Sequence, residues 1–465
     1  MSSNYPDPKS ALPAEGTRYD IVIIGAGILG VSLAFWLTEL YDGLSVALVE
    51  KESLVAQHTS SRNTGVIHRP FYLDPERKKI FAKSAQKSYF LWSALASHFR
   101  TLPWKQVGTL EVALQDNDLT VLDRYEKWAI ENGMWEGEEV QLLDSPSSVK
   151  ELEPQVKCLG AIFSKTDTSV DYGAFSKCVF DLAMQNGVRH ILGARLINIK
   201  ESENLELLIE STASLQGNGE RKRVRCGFLI NAAGGNALDI AHMLGLAREY
   251  ADLHFRGEYW VVEEPFASKV SRNIYSVAKY KEFPFLDPHF IIRASGRREI
   301  GPNAVLVSGP GAYRGLSENK SQLFGKMVEG PITPKVRLFL LNRKFLSLVW
   351  NEWKSSLSKK AMCKRVEQFI PSLDPRMLSQ RGLAGVRTSV IDGHGFVPEA
   401  VLVEGPNSLH ILNYNSPGAT GAPAFSAYVV RKLEQNIGPV SRGRKERHSR
   451  KHDYIWNFDS VVEDF

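Results

Sequence analysis

An α/β fold, in which a parallel sheet flanked by helices carries an inserted antiparallel lobe, is predicted by three features of this 465-residue chain. First, an apolar, β-branched run at 19–24 leads straight into Gly25-Ala26-Gly27-Ile28-Leu29-Gly30, and 31–40 then reads as a helix. Second, another apolar run at 45–49 ends in an acid, Glu50. Third, residues 250–350 lose this strand–helix rhythm and show strand-like stretches at 259–262, 290–293 and 305–308, as an antiparallel sheet does. The length suits two packed units or one large α/β unit with an insertion.

The first unit is Rossmann-like. Gly25 makes the tight turn and Gly27 lets the backbone approach a pyrophosphate, while Gly30 allows close packing of helix on strand. The amides around Ile28 open the helix toward the phosphates, and Glu50, with Lys51 beside it, is placed to accept from a ribose. A hydropathy window would read the uncharged run 21–38 as membrane-spanning. Its early glycines, with Asp20 and Glu39 on either side, favour strand, turn and helix instead.

Further along, 56–65 is a polar loop, 75–99 and 117–132 read as helices, and 108–114 as a strand. A helix at 175–186 precedes strands at 188–191 and 195–199, the latter carrying Leu196. The charged run 201–220 reads as a strand and a turn at Gly217-Asn218-Gly219. Residues 228–235 repeat the opening logic, a buried strand running into Ala233 and Gly234, so that two nucleotide-facing turns share one sheet edge. A largely helical, basic stretch at 338–370 closes the lobe. The nucleotide unit resumes at 382–390 and 410–412 and ends in a helix at 423–435. The predicted division is a disordered N-terminus at 1–18, the nucleotide unit at 19–100, 175–250 and 381–436, the lobe at 101–174 and 251–380, and a basic flexible tail at 437–465.

Hydrophobic residues make up 43% and charged residues 23% of the chain, with a net charge of +5, the make-up of an ordinary soluble globular protein. Much of the excess lies at Arg442, Arg444, Lys445, Arg447, Arg450 and Lys451, read as a solvated end rather than a nucleic-acid patch. The four cysteines form no CxxC pair, so neither a zinc site nor a disulfide framework is expected, and no metal. Residues 1–18 resemble neither a secretory signal nor a strong mitochondrial presequence, and the final residues are no peroxisomal address. A cytoplasmic location is expected, with the mitochondrion as the alternative.

The order of these elements resembles the D-amino-acid-oxidase-like (DAO) superfamily of flavoproteins and, within it, the L-2-hydroxyglutarate dehydrogenases. The resemblance rests on Ser60-Ser61-Arg62-Asn63-Thr64-Gly65-Val66-Ile67-His68, Phe255-Arg256-Gly257-Glu258-Tyr259, Gly301-Pro302-Asn303-Ala304-Val305, Gly385-Val386-Arg387 and Asn415-Ser416-Pro417-Gly418-Ala419-Thr420. It implies FAD in a glutathione-reductase-like domain, and oxidation of a C–H bond next to a hydroxyl by hydride transfer to the flavin. It also implies a small-molecule substrate and an electron acceptor, whether oxygen, a quinone or an electron-transfer protein. No nucleic acid is expected. Ser61, Asn63 and Thr64 would then border the flavin. Pro417, Gly418, Ala419 and Thr420 would bring backbone amides and a helix dipole to the charge left on the reduced ring. Two departures stand out: Arg69-Pro70 follow His68 where the family has a small residue and glycine, and Ile292 stands where the family has a cation, Arg293 falling one residue late. Both are expected to alter the substrate pocket.

Four residues are the catalytic candidates. His68 could take the substrate's proton or be bonded to backbone. Tyr259 and His289, on lobe strands, could orient the substrate or simply pack in the lobe. Arg387 could bind a carboxylate bidentately or face the flavin, or form a surface ion pair. The alternative function is FAD-dependent oxidation of a different alcohol, sugar-derived or amine substrate.

Overall fold

The computed structural model describes residues 12–213, 219–279, 287–314, 325–326, 328–336, 342–437 and 443–465. The apolar run that opens the chain forms Thr17–Ile24, central in an eight-stranded sheet. It lies parallel to Val46–Glu50, with Ile21 opposite Val46, and to Arg221–Asn231, with Ile21 opposite Phe228. Arg189–Leu192 extends the sheet beyond Val46–Glu50.

Arg221–Asn231 forks the sheet, and its sequence explains how. Its first half alternates exposed Arg221, Arg223 and Arg225 with buried Val224 and Cys226, which suits a sheet with one wet face. That half pairs antiparallel with Leu205–Ser211, which pairs in turn with Ala194–Lys200. The second half is continuously buried and lies parallel to Ser408–Leu412, which folds back on Val401–Gly405. Of the turn expected at 217–219, Gly217 and Asn218 lie outside the described residues.

The helix Ile28–Leu40 follows the glycine turn, and nearly every residue in it is buried. It packs between Tyr172–Gln185 and Gly418–Lys432, so the uncharged run 21–38 is a strand and a core helix. Among the described residues no helix is long and apolar enough to cross a membrane. The last sheet-covering helix starts at Gly418, earlier than the expected 423, and carries Pro423 inside it. The Pro423 carbonyl accepts from Trp36 Nε1 at 2.8 Å.

The lobe is a second eight-stranded sheet, ordered Leu378–Arg381, Trp260–Val262, Arg298–Gly301, His289–Ile292, Asn273–Ser276, Thr109–Ala113, Gly160–Ser164, Val140–Leu143. It is mixed rather than purely antiparallel, because Asn273–Ser276 runs parallel to Thr109–Ala113. Helices Arg343–Leu357 and Lys359–Val366 follow within the stretch expected to be helical, of which 338–341 lie outside the described residues. Gly385–Asp392, expected in the nucleotide unit, instead pairs with Ala251–Gly257 in a separate four-stranded sheet. A three-stranded sheet, Val66–Ile67, Thr168–Val170 and Trp104–Gln106, ties the polar loop to the lobe.

Both chain ends correct the sequence reading. Residues 12–18, expected to be disordered, are ordered: Gly16 N donates to Arg223 O at 2.9 Å and the first strand starts at Thr17. The basic tail is no flexible end over 443–465. Trp456 is buried against Phe35, Trp36 and Trp92, and its Nε1 donates to Leu91 O at 2.7 Å. His452 Nδ1 lies 3.0 Å from the buried Glu39 carboxylate, which also accepts from His452 N at 2.6 Å. The cations are matched locally, Arg447 to Asp453 at 2.7 Å and Arg450 to Asp459 at 3.0 Å. Apolar burial outweighs the charge run. Trp456→Ala should cost about 3–5 kcal/mol, the usual range for deleting a buried large aromatic. Arg447→Ala should stay within about 0.5 kcal/mol. Urea unfolding of both variants checks this, and equal midpoints would mean the tail is not part of the core.

Candidate active site

A cavity of about 580 Å³ lies between the carboxyl ends of the parallel strands and the lobe. At its nucleotide end the two glycine turns meet. Gly25 has φ +99°, and a Cβ there would lie 2.6 Å from Ala232 O, so only glycine allows this approach. At Gly30 a Cβ would fall 1.8 Å from Gly25 O. Gly30 therefore packs helix on turn and does not itself line the cavity. Gly27 does line it.

Ile28 N donates to Ser60 Oγ at 2.9 Å, which leaves the neighbouring amides of the helix N-terminus for a ligand. Glu50 accepts from Ala26 N at 2.7 Å and from Glu52 N at 3.0 Å, one bond to each oxygen. A carboxylate has about four acceptor sites, so capacity remains for ribose hydroxyls. Lys51, Leu196, Ala233 and Gly234 line the same end. Glycine cradle, helix N-terminus and fixed acid together fit the pyrophosphate and ribose of FAD.

Toward the lobe, the polar loop folds on its own side chains. Asn63 Oδ1 accepts from Gly65 N at 2.8 Å, and Asn63 Nδ2 donates to Thr59 O at 3.0 Å. Asn63 and Thr64 line the cavity; Ser61 does not, since it turns to His58 O and packs on Gly173. Across from this loop, Pro417, Gly418, Ala419 and Thr420 also line it. The first helical bond of Gly418–Lys432 is Gly421 N to Pro417 O, 3.1 Å, so the preceding amides face the cavity end of the helix dipole. The Thr420 hydroxyl is engaged by Tyr172 OH at 2.9 Å and His68 N at 3.3 Å, leaving its backbone as the donor for a ligand.

His68, Tyr259, His289 and Arg387 all line the substrate end. His68 Nε2 lies 3.2 Å from Tyr275 OH and its Nδ1 2.8 Å from Asp167 Oδ2. Tyr275 stacks on His289 with ring centroids 3.9 Å apart. His289 Nδ1 lies 3.1 Å from Asp287 O, and a carbonyl only accepts, so Nδ1 carries the proton. Its Nε2 is then a bare lone pair, buried and without a protein partner among the described residues. Burial pushes the His289 pKa down to about 3, so the ring stays neutral near pH 7. Burial pushes the Tyr259 hydroxyl up to about 12 and lowers the Arg387 guanidinium from its usual value. Gly385, two residues before Arg387, admits the loop: a Cβ there would meet Arg62 O at 1.7 Å.

The expected alterations of the pocket at Arg69, Pro70 and Ile292 do not reach the cavity. Arg69 is fully buried behind it, bonded to Glu139 at 2.6 Å and Gln86 at 2.9 Å. Strand alternation puts Ile292 with Phe290 in the lobe core, whereas Ile291 packs with Tyr259 and Tyr275. Arg293 lies over the Tyr259 ring, held by Glu299 at 2.6 Å and by Asn63 O. Ser60, Tyr275 and Asp167 were missed. Ser60 was visible as a hydroxyl in the polar loop, but Tyr275 and Asp167 sit in no local motif.

Comparison with known proteins agrees with this geometry. A family model for FAD-dependent oxidoreductases, DAO, matches residues 20–432. Mitochondrial L-2-hydroxyglutarate dehydrogenase of Bos taurus is 29% identical over 452 residues, covering 92% of this chain and 93% of that protein. The Caenorhabditis elegans protein of the same name is 30% identical, over 89% of this chain and 92% of its own. L-2-hydroxyglutarate dehydrogenase of Escherichia coli K12 is 28% identical, over 94% and 98%. L-α-glycerophosphate oxidase of Mycoplasma pneumoniae, solved with FAD bound, shares the fold with a TM-score of 0.66 at 23% identity, covering 90% of this chain and 95% of that one. The chain belongs to the DAO family of FAD-dependent oxidoreductases.

Proposed function

We propose that this enzyme oxidises a small 2-hydroxy acid at the carbon bearing the hydroxyl, with L-2-hydroxyglutarate as the first substrate to test. The relatives named for that reaction span animals and bacteria and match over most of their length. FAD, when bound, supplies the hydride acceptor. The observation that carries the reading is the unpaired, buried lone pair of His289 Nε2 in the same cavity as His68 and Arg387. Such an acceptor calls for a donor from the ligand, and a substrate hydroxyl is one. A lone pair whose conjugate acid has a pKa of about 3 holds a proton poorly. The hydroxyl has a single proton: in the bound substrate it points to His289 Nε2, which orients it, and for transfer it turns to His68, which accepts it. Arg387 takes the substrate carboxylate, since a carboxylate buried without a cation would be strongly disfavoured. The amides of Gly418, Ala419 and Thr420, at the helix N-terminus, would be the donors for negative charge developing on a bound flavin.

One observation favours a second reading, a hydroxy acid with a single carboxylate. Arg387 lines the cavity, whereas Arg293, the cation that falls one residue after Ile292, is engaged by Glu299 and does not. Anaerobic bleaching of the bound flavin distinguishes the two. L-2-hydroxyglutarate should bleach it rapidly and the D isomer should not, because one face of the carbon presents hydride. Bleaching only by monocarboxylic hydroxy acids would establish the second reading, and bleaching by neither class would sink both. Hydrogen peroxide release against dye reduction shows whether oxygen is the acceptor.

Gly27→Val should abolish flavin binding. A Cβ at that position already approaches Ser60 Oγ to 3.0 Å, and the added methyls would occupy the pyrophosphate cradle. A purified variant with a full complement of FAD would remove the cofactor from this turn.

His68→Gln should slow flavin reduction by about a hundredfold or more. His289→Ala should act mainly on apparent substrate affinity. Because burial keeps His289 neutral well below pH 5, it supplies no limb to the pH–rate profile at about pH 5–9, and its removal leaves the profile's shape unchanged. Stopped-flow reduction across that range checks both variants.

A further inference from the structure

We infer that Asp167 is a positioning residue for the oxidation, holding His68 in the tautomer that offers Nε2 to the substrate and stabilising the imidazolium formed when the proton arrives. This rests on the reading of His68 as proton acceptor, and it accounts for a buried charge that the reaction does not otherwise use.

The two residues are 99 positions apart and are brought together by strand register. In the three-stranded sheet Ile67 lies opposite Thr168, so the next residue along one strand, His68, meets the preceding residue of the other, Asp167. Asp167 is completely buried, and a carboxylate there is tolerable only if its oxygens are satisfied. They are. Oδ1 accepts from Ser164 Oγ at 2.5 Å and from Arg69 N at 2.9 Å, while Oδ2 faces His68 Nδ1 at 2.8 Å. The Asp167 backbone is pinned as well, its carbonyl accepting from Gly108 N at 3.0 Å. The carboxylate therefore has little freedom to move away from the ring.

An ionised carboxylate only accepts, so His68 Nδ1 must donate and Nε2 must carry the lone pair. That lone pair accepts from the Tyr275 hydroxyl, 3.2 Å away on the cavity wall, a bond that the substrate hydroxyl replaces when it binds. In the reaction the substrate O–H bond breaks, its proton forms an N–H bond at Nε2 and its electron pair becomes the second bond of the new C=O, while the C–H bond breaks as hydride, for which bound FAD would be the two-electron acceptor. The ring then carries a positive charge in a buried site. Asp167 supplies the matching negative charge at hydrogen-bond distance, as the carboxylate of a hydrolase triad does for its histidine. The Arg69 guanidinium does not compete, because it is bonded to Glu139 at 2.6 and 3.1 Å. Arg69 thus lends Asp167 only its backbone N–H, which any residue but proline would offer, while its side chain is committed to Glu139, Gln86 and Thr166.

The test is a double-mutant cycle on the FAD-loaded enzyme, read as the rate of anaerobic flavin reduction, with FAD content and substrate dissociation constant measured in parallel. D167N should cut the reduction rate by on the order of a hundredfold to ten-thousandfold. FAD content and substrate affinity should stay within about threefold. In the H68Q/D167N double variant the rate should fall little below that of H68Q alone, because Asp167 acts only through His68. Additive losses, or a D167N rate within about threefold of the parent, would overturn the assignment while leaving His68 as the acceptor. If H68Q itself is as fast as the parent, the reading of His68 fails and takes this inference with it. Should D167N fail to retain FAD, S164A decides. It keeps the charge and removes one of the three hydrogen bonds, and it should slow reduction several-fold with an unchanged melting temperature. An unchanged rate there would overturn the inference.

Discussion

The approach of two backbone turns at one sheet edge governs the nucleotide end of this enzyme. Gly25, at the end of the first strand, lies so near Ala232, at the end of a strand two hundred residues later, that no side chain fits between them. Contact of this kind is possible only because the two strands are adjacent and parallel, with Ile24 opposite Asn231. Their carboxyl ends are thereby level, and the turns that follow face the same space. The helix N-terminus, the fixed Glu50 and the loop containing Asn63 are arranged around that space. Moving either strand by one residue would separate the two turns and dismantle the cradle.

The substrate end depends on a smaller device. Three short strands stitch the polar loop that lines the cavity to the lobe, and their register sets His68 beside Asp167. The same loop is held from the other side by Thr420 and by the contact of Arg293 with Asn63 O. Loop and lobe are thus locked to one another by hydrogen bonds within the protein itself. Preorganisation of this sort reduces the reorientation needed during the reaction.

Much of this was legible in the sequence because it is local. The glycine turn, the acid after the second strand and the helix-opening Pro417–Thr420 each occupy a few consecutive residues. Their physical requirements are written in residue size and polarity. What escaped was non-local. Asp167 and Tyr275 have no signature, since their importance comes from neighbours far away in the chain. Gly385–Asp392, expected in the nucleotide unit, pairs instead with Ala251–Gly257, a partner more than a hundred residues away that no local pattern announces, and Gly385 makes room for Arg62. The departures at Arg69 and Ile292 looked like changes to the pocket, yet alternation along the strand and an ion pair behind the loop direct both side chains elsewhere. The tail was misjudged by counting charges, when Trp456 and Phe458 were the residues that mattered.

That tail has a consequence for the order in which the protein can be completed. The aromatic faces of Trp36 and Trp92 are covered by Trp456, which is synthesised after every strand and helix it packs against. Until it arrives, a growing chain holds a finished sheet with an uncovered aromatic patch of the kind that promotes aggregation. Premature termination even a short way before residue 452 would leave that patch permanently open, though every residue assigned to the cavity would be present. Messages truncated late should therefore yield a protein that is cleared or aggregates rather than one that is merely shorter.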